Sequence, residues 1–103
     1  EDKVESCGIC LCPSTQLVTG NQKTISMGPT EFKLLHFLIT RPERVHTRAN
    51  ILDQVWGDHV FVEERTVDVH IRRLRRALSI SLHNKNIETV RGSGYKFTAA
   101  PKK

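Results

Sequence analysis

The chain has 103 residues, which suits one domain with a modest core. Its 16 Lys and Arg exceed its 11 Asp and Glu, and the net charge of +5 points to an anionic partner, either nucleic acid or a membrane surface. No segment approaches the ~18 consecutive apolar residues of a membrane span, and no signal-peptide pattern opens the chain. We therefore expect neither a membrane-spanning nor an exported protein.

The first part of the chain predicts a small antiparallel sheet. Residues 1–6 are polar and charged and are interpreted as a linker remnant, whereas residues 7–27 hold short apolar segments separated by turn formers. This alternation predicts three or four short strands. So small a sheet is not a domain by itself and has to pack on helices.

Three cysteines, Cys7, Cys10 and Cys12, lie in this first part. A structural zinc site needs four ligands, and no second pair of Cys or His stands at zinc-finger spacing, so we expect no metal. We interpret residues 9–12 as a strand in which cysteine serves as a small apolar residue. The odd number of cysteines suggests that the protein works in a reducing cytoplasm, where disulfides are rare.

A core helix is predicted after the sheet. Pro29 follows Gly28 and marks the first helical position, because its missing N–H and fixed φ suit that place. Residues 32–39 are apolar nearly all round, which indicates burial on every side. The helix is expected to stop before Pro42.

A second helix is predicted over residues 48–56, capped by Thr47 and preceded by a very short strand at 44–46. Its apolar positions form one stripe. A loop over 57–62 then leads to the next helix. Two helices joined in this way, the second of them basic, have a helix-turn-helix arrangement with a long connection.

Residues 63–78 predict one helix with two faces. The apolar stripe recurs at i, i+4, i+7 and i+11 and comprises Val67, Ile71, Leu74 and Leu78. At about 100° per residue, the opposite face comprises Arg65, Val69, Arg72, Arg73 and Arg76, with Thr66 beside them. Such a face suits the DNA major groove, because arginine binds guanine and phosphate and a small apolar group contacts the thymine methyl. A membrane surface calls for Trp or Phe beside the basic face, and this helix has neither.

A β-hairpin is predicted near the end of the chain. Residues 87–90 and 95–98 are strand-like and flank Arg91-Gly92-Ser93-Gly94, whose glycines can take positive φ at the turn. A narrow, negative minor groove attracts an inserted arginine. Because it follows a groove-binding helix, the hairpin is interpreted as a wing with Arg91 at its tip.

Strands, two helices, a basic helix and a hairpin form the order of a winged helix with an added N-terminal sheet. The chain resembles the OmpR/PhoB-type effector domains of bacterial response regulators, most of all those that control phosphate-starvation genes. The motifs that carry the resemblance are GPTEFKLL at 28–35, VWG at 55–57, RTVDVHIRRLR at 65–75 and TVRGSGYKF at 89–97.

The resemblance implies an α+β fold, a winged helix that is a variant of the helix-turn-helix. It has an N-terminal antiparallel β-sheet, three helices and a C-terminal β-hairpin wing. This domain is expected to cover residues 7–98, between the linker remnant at 1–6 and a C-terminal tail at 99–103. The receiver domain with its phosphorylated aspartate lies outside the expected domain.

The resemblance also implies which residues touch DNA. Base contacts are implied for Thr66, Val69 and Arg73, which the helical pattern places on the DNA-facing side. Arg91 matches the minor-groove arginine of the wing. Contacts with the DNA backbone are implied for Arg48, Trp56, Arg65, His70, Arg72, Arg75, Thr89 and Tyr95.

A second implied surface faces RNA polymerase. The loop after the second helix is expected to touch the sigma subunit through Trp56, Gly57, Val62 and Glu64. Trp56 has a structural alternative, as an anchor for the end of the second helix. The chain departs from the family at Ala49, where an acidic residue is frequent, and at His46, where an aromatic residue is frequent.

The implied function is sequence-specific binding of double-stranded DNA for transcription activation, as the effector half of a two-component regulator. The domain is expected to be monomeric when isolated and to pair head-to-tail on direct repeats about one helical turn apart. One alternative is a basic interaction module that binds an acidic protein. A second alternative, a module for RNA or single strands, would need exposed aromatic residues. The chain has only one Trp, one Tyr and four Phe, most of them in apolar core patterns, so its composition disfavours this alternative. No catalytic set stands at usable spacing, so neither an enzyme nor a cofactor is expected.

Overall fold

The computed structural model describes residues 3–57 and 62–101. Four strands come first: β1 (Val4–Ser6), β2 (Ile9–Cys12), β3 (Leu17–Gly20) and β4 (Lys23–Ile25). The helices are α1 (Pro29–Ile39), α2 (Arg48–Ile51), which continues as a π-helical segment (Leu52–Trp56), and α3 (Arg65–Leu78). Two 3-10 turns (Ser79–Ser81 and Asn84–Asn86) lead to a hairpin of β5 (Ile87–Val90) and β6 (Gly94–Phe97).

The four N-terminal strands form an antiparallel sheet in sequential order. Side chains alternate between its faces, and the inner face buries Ile9, Leu11, Val18 and Ile25. The strand predicted at residues 9–12 is confirmed, but Cys10 and Cys12 lie half-buried on the outer face. The strand period gives the inner positions to Ile9 and Leu11, and the interpretation of the cysteines as small apolar residues stays a prediction.

The segment interpreted as a linker remnant holds strand β1. Val4 pairs with Leu11 and Ser6 with Ile9, and Val4 packs on the core while half-buried. Backbone hydrogen bonds to β2 need no apolar sequence, which is why the polar composition of this segment concealed a strand. The domain boundaries proposed at residues 6 and 98 stay predictions.

Helix α1 is the central core helix that the sequence predicted. Pro29 occupies its first turn after the extended Gly28. Its fully buried side chains include Leu34, Leu35 and Leu38. Helix α1 packs against α3, so it supports the basic helix from behind.

The second predicted helix is confirmed over residues 48–56, with a π-helical final turn. The side chain of Thr47 accepts a hydrogen bond of 3.0 Å from the backbone N–H of Asn50, which satisfies one free donor of the first turn. The strand predicted at 44–46 is reduced to a single bridge between His46 and Tyr95. This bridge attaches the start of α2 to the hairpin.

Helix α3 begins at Arg65, two residues later than predicted, and the strand predicted at 95–98 runs from Gly94 to Phe97 instead. The polar stretch between them is not merely a connection, because Ser81, His83 and Asn86 are buried. Asn86, for example, donates a 2.8 Å side-chain hydrogen bond to the carbonyl of Thr98. Within residues 3–57 and 62–101, no helix is long and apolar enough to cross a membrane.

Candidate nucleic-acid interface

Helix α3 presents the two faces that its sequence predicts. Val67, Ile71, Leu74 and Leu78 are buried against the core. The opposite face is exposed and comprises Arg65, Val69, Arg72, Arg73 and Arg76, with the half-buried Thr66 beside it. Val69 is 37% exposed among these arginines, so an apolar group stands in the middle of a charged surface. Arginine donors around a small apolar group match the groups on the edges of base pairs in a major groove.

The hairpin extends beside the first turns of α2 and α3. Arg91, Gly92 and Ser93 are exposed at its tip, and Gly92 has φ of +77° with open space around it. A groove of about 430 Å³ lies between the hairpin and the starts of the two helices, and Arg48, Asp68 and Arg91 are among its lining residues. The groove is thus bordered by cations from the helix-turn-helix and from the wing.

Asp68 joins three elements at the edge of this surface. Its Oδ2 lies 3.0 Å from Nη1 of Arg48 in α2, and its Oδ1 accepts a hydrogen bond of 2.5 Å from the hydroxyl of Tyr95 in β6. Burial and the bond to Asp68 raise the pKa of Tyr95 to about 12, so this hydroxyl remains a donor at any physiological pH. Arg48 and Tyr95, both expected at the DNA backbone, therefore have a common partner inside the protein.

Arg75 fastens the other end of α3 to the hairpin. Its Nε donates a 3.0 Å hydrogen bond to the carbonyl of Ile87, and its Nη2 donates one of 2.6 Å to Oγ1 of Thr89. The guanidinium also lies 5.7 Å from the centre of the Tyr95 ring. Arg75 is half-buried, in contrast to the exposed Arg72 and Arg73. Arg75 therefore holds β5 in place, and only the N–H groups that these two bonds leave free are available to a phosphate.

His70 connects α3 to α1 and to the end of the second helix. Its Nδ1 is 2.6 Å from Oε2 of Glu31, and its ring centroid is 5.3 Å from that of Trp56. The side chains of Glu31 and His70 are only 9% and 17% exposed. Because Nδ1 faces Glu31, a DNA contact by His70 has to use Nε2. The packing of Trp56 on His70 supports its structural alternative as an anchor.

The remaining predicted residues surround this centre. Arg65 is highly exposed and pairs with Glu63 at 3.0 Å. Gly57 and Val62 are half-buried, and Glu64 is exposed just before α3. Residues 58–61 of the loop expected to face RNA polymerase lie outside the described residues.

Two acidic residues of the site, Glu31 and Asp68, are absent from the contacts expected from the sequence. Both stand in the first turn of a helix, where the helix dipole alone favours a carboxylate. The structure shows that both also bind other elements, since Glu31 contacts His70, and Asp68 contacts Arg48 and Tyr95. The available signal was the position of Asp68, one carboxylate within a run of five arginines at 65–76.

Comparison with known proteins identifies the domain. Residues 21–97 match the family described as "Transcriptional regulatory protein, C terminal". The chain belongs to this family. It is an effector domain of the OmpR/PhoB type, and the winged-helix fold and DNA-binding transcription regulation expected from the sequence are confirmed for the family.

Related proteins and structures agree with this assignment. The chain is 54% identical over 99 residues to the phosphate regulon transcriptional regulatory protein PhoB of Klebsiella pneumoniae. This alignment covers 96% of the chain and 43% of the relative. It thus spans less than half the length of the curated relatives that it matches.

Two solved structures share the fold over almost the whole chain. The DNA-binding domain of RstA from Klebsiella pneumoniae, in complex with the RstA box, matches with a TM-score of 0.83 at 26% identity, covering 97% of this chain and 100% of that one. The DNA-binding domain of CpxR from E. coli matches with a TM-score of 0.81 at 28% identity, covering 97% and 99%.

Proposed function

We propose that the chain binds a specific sequence of double-stranded DNA, with the exposed face of α3 in the major groove and the hairpin tip in the adjacent minor groove. The observation that carries this proposal is the composition of the exposed face, where Val69 stands among arginines. A face meant only for phosphates would need no apolar group. Thr66, Val69 and Arg73 are the proposed base-reading residues.

The backbone contacts of the proposal fall into two groups. Arg65 and Arg72 are exposed, and we propose that they reach phosphates beside the reading face, where Arg65 exchanges its exposed pair with Glu63 for a phosphate. Arg48, His70, Arg75 and Thr89 already have partners within the protein, so we propose that they contact the backbone as preformed donors. Tyr95 donates its only hydroxyl hydrogen to Asp68, so we propose that it lies against the backbone without donating to a phosphate. Preformed donors lose less entropy on binding. Trp56 is proposed to border the backbone at the end of the second helix.

For the whole regulator, we infer an activator of phosphate-starvation genes that acts in the cytoplasm. The support is the identity of 50–54% to proteins named phosphate regulon transcriptional regulatory protein PhoB. We further propose that Trp56, Gly57, Val62 and Glu64 contact the sigma subunit of RNA polymerase. Two copies are proposed to bind head-to-tail on direct repeats, while the isolated domain is monomeric.

The test begins with selection of bound duplexes from a random pool by the 103-residue chain. Affinity is then measured for the selected duplex and for a scrambled duplex of equal composition. Arg73→Ala should lose about 1–3 kcal/mol on the selected duplex and relax the preference at one base pair, while Arg72→Ala weakens both duplexes equally. Equal affinity of the wild type for both duplexes would contradict sequence-specific binding and favour a basic module for an acidic protein.

A further inference from the structure

Asp68 is an acidic residue at the border of a surface made for phosphates. Its side chain is 31% exposed, and it lies in the first turn of α3 beside the groove that faces the wing. A carboxylate near the DNA backbone repels it, so the charge lowers affinity for every duplex. We therefore look for a contribution of Asp68 to DNA binding that offsets this repulsion.

Each carboxylate oxygen of Asp68 holds a different element. Oδ2 pairs with Arg48, which is itself 47% exposed beside the same groove, and Oδ1 accepts the hydroxyl hydrogen of Tyr95. The Tyr95 ring is buried in the core, and its backbone N–H and C=O pair with His46 just before α2. Asp68 thus connects α2, α3 and the hairpin through two directional bonds.

The hairpin has a second attachment to α3 at Arg75, which bonds Ile87 and Thr89. Asp68 and Arg75 are seven residues apart, which places them on one side of the helix about two turns, or roughly 10 Å, from each other. One attachment fixes the position of a hairpin, whereas two separated attachments also fix its angle. The tip residue Arg91 depends on that angle, because it stands at the far end of the hairpin.

We propose that Asp68 is a positioning residue for DNA binding, which holds Arg48 ready for a phosphate and holds the wing at a fixed angle to the recognition helix. This inference rests on the proposed function. Its consequence is that Asp68 trades affinity for selectivity: its charge weakens binding to all DNA, while its two bonds let only duplexes of the right groove geometry engage both α3 and the wing.

The test compares Asp68→Asn with Glu63→Gln. Both variants remove one negative charge from the start of α3, but Glu63 pairs only with the exposed Arg65 among the described residues. Affinities are measured by fluorescence anisotropy on the selected duplex and on its scramble, after melting curves have shown that each variant is folded at the assay temperature. The loss of one repulsive charge should raise affinity of Glu63→Gln about two- to fivefold on both duplexes.

Asp68→Asn should bind the scrambled duplex several-fold more tightly, yet its ratio of selected to scrambled affinity should fall about tenfold. The inference is overturned if that ratio stays at the wild-type value. An equal gain of affinity on both duplexes would mean that Asp68 acts by charge alone, and an equal loss on both would indicate a general structural defect. If wild type itself shows no preference for the selected duplex, the proposed function fails first.

Tyr95→Phe supplies an independent arm, because it breaks one bond of Asp68 without changing any charge. Binding is measured on duplexes with A·T-rich or G·C-rich flanks, and Tyr95→Phe should reduce the preference for A·T-rich flanks. The double variant Tyr95→Phe with Asp68→Asn should lose no more of this preference than Asp68→Asn alone. An equal loss on both flanks would overturn the wing part of the inference, because the Tyr95 hydroxyl would then be contacting phosphate directly.

Discussion

Arg91 stands at the exposed tip of the hairpin, and within the described ranges no carboxylate lies within 4.0 Å of its guanidinium. The nearby Glu88 is instead turned to Lys96, at 3.8 Å. A guanidinium that is free in this way can enter a narrow minor groove, where the negative potential of A·T-rich DNA is strongest.

Arg91→Ala should therefore weaken binding most on duplexes with A·T-rich flanks, by about 1–2 kcal/mol, and should leave the melting temperature nearly unchanged. Lys96→Ala is the matched control, since it removes a positive charge from the same hairpin away from the tip. Affinity on two flank compositions and thermal melting check the expectation. A similar loss on both flanks would show that Arg91 does not sense groove width.

His46 is a buried imidazole at the junction of α2 and the hairpin. Its ring lies 4.6 Å from that of Phe37, and its Nε2 is buried with no hydrogen-bond partner among the described residues. Burial, followed by the nearby Arg44, lowers the pKa of His46 below its ordinary value of 6.5. The folded state therefore holds fewer protons than the unfolded state just below that pH, and stability falls as the solution becomes acidic.

The stability of His46→Phe should consequently rise relative to that of wild type as pH falls. At pH about 7.5 the two proteins should differ little, whereas at pH about 5.5 the melting temperature of the variant should be the higher, because only wild type takes up a proton on unfolding. Thermal melting at several pH values measures the difference. A difference that stays constant over this interval would mean that His46 does not carry the acid sensitivity.

At the scale of elements, α3 and the hairpin behave as one unit because Arg75 joins them. The family resemblance implies that Arg75 contacts the DNA backbone. The structure adds that this side chain is half-buried and donates two hydrogen bonds to β5. Its substitution is therefore expected to affect folding as well as binding.

Arg75→Ala should lower the free energy of unfolding by about 1–3 kcal/mol, since the Ile87 carbonyl loses a charged donor. Arg72→Ala, at an exposed position of the same helix, should change stability by less than about 0.5 kcal/mol but reduce the slope of log affinity against log salt by about one. Urea unfolding and salt titrations on one duplex separate the two effects. Equal stability of both variants would contradict a structural role for Arg75.

The hairpin approaches the start of α2 so closely that only glycine fits at one position. Gly94 has φ of +146°, and a Cβ there would overlap the backbone carbonyl of His46. Gly92 also has positive φ but faces open space, so its requirement is conformational only.

Gly94→Ala should thus destabilise the domain by about 3 kcal/mol or more, because strain and overlap add. Gly92→Ala should cost about 1 kcal/mol, which is the conformational part alone. Chemical denaturation of both variants provides the comparison. If the two losses were equal, the close approach of β6 to His46 would not matter for stability.

At the scale of the whole molecule, the net charge of +5 and a single reading face mean that one copy covers one side of the duplex. Two copies in head-to-tail order share that side only when their sites are separated by whole helical turns. Direct repeats spaced by about 10–11 base pairs should therefore bind two copies cooperatively, and an added half turn of about five base pairs should abolish the cooperativity.

Analytical ultracentrifugation of the free chain, which should be monomeric, and gel-shift titrations on the two spacings measure this. An inverted repeat of the same sites is the control for orientation. Equal cooperativity at both spacings would contradict a head-to-tail arrangement on one face of the duplex.

The sequence by itself determined which helix has an exposed basic face and where the wing turns. Both features depend on local patterns: the period of Val67, Ile71 and Leu74 leaves one face of α3 exposed, and the glycines after Arg91 permit the turn. The start of α1 at Pro29 was equally predictable. Strand β1 was not, because edge pairing with β2 satisfies backbone groups whatever the side chains are.

Only the tertiary structure decided which polar side chains meet. Asp68 bonds Arg48 and Tyr95, which are 20 and 27 positions away, and His70 meets Glu31 at a separation of 39. Periodicity assigns a residue to a face of its own helix but carries no information about distances to other elements. Those distances arise when the buried faces pack. As a result, Glu31 and Asp68, which stand in the first turns of their helices, connect different elements of the candidate DNA-binding surface.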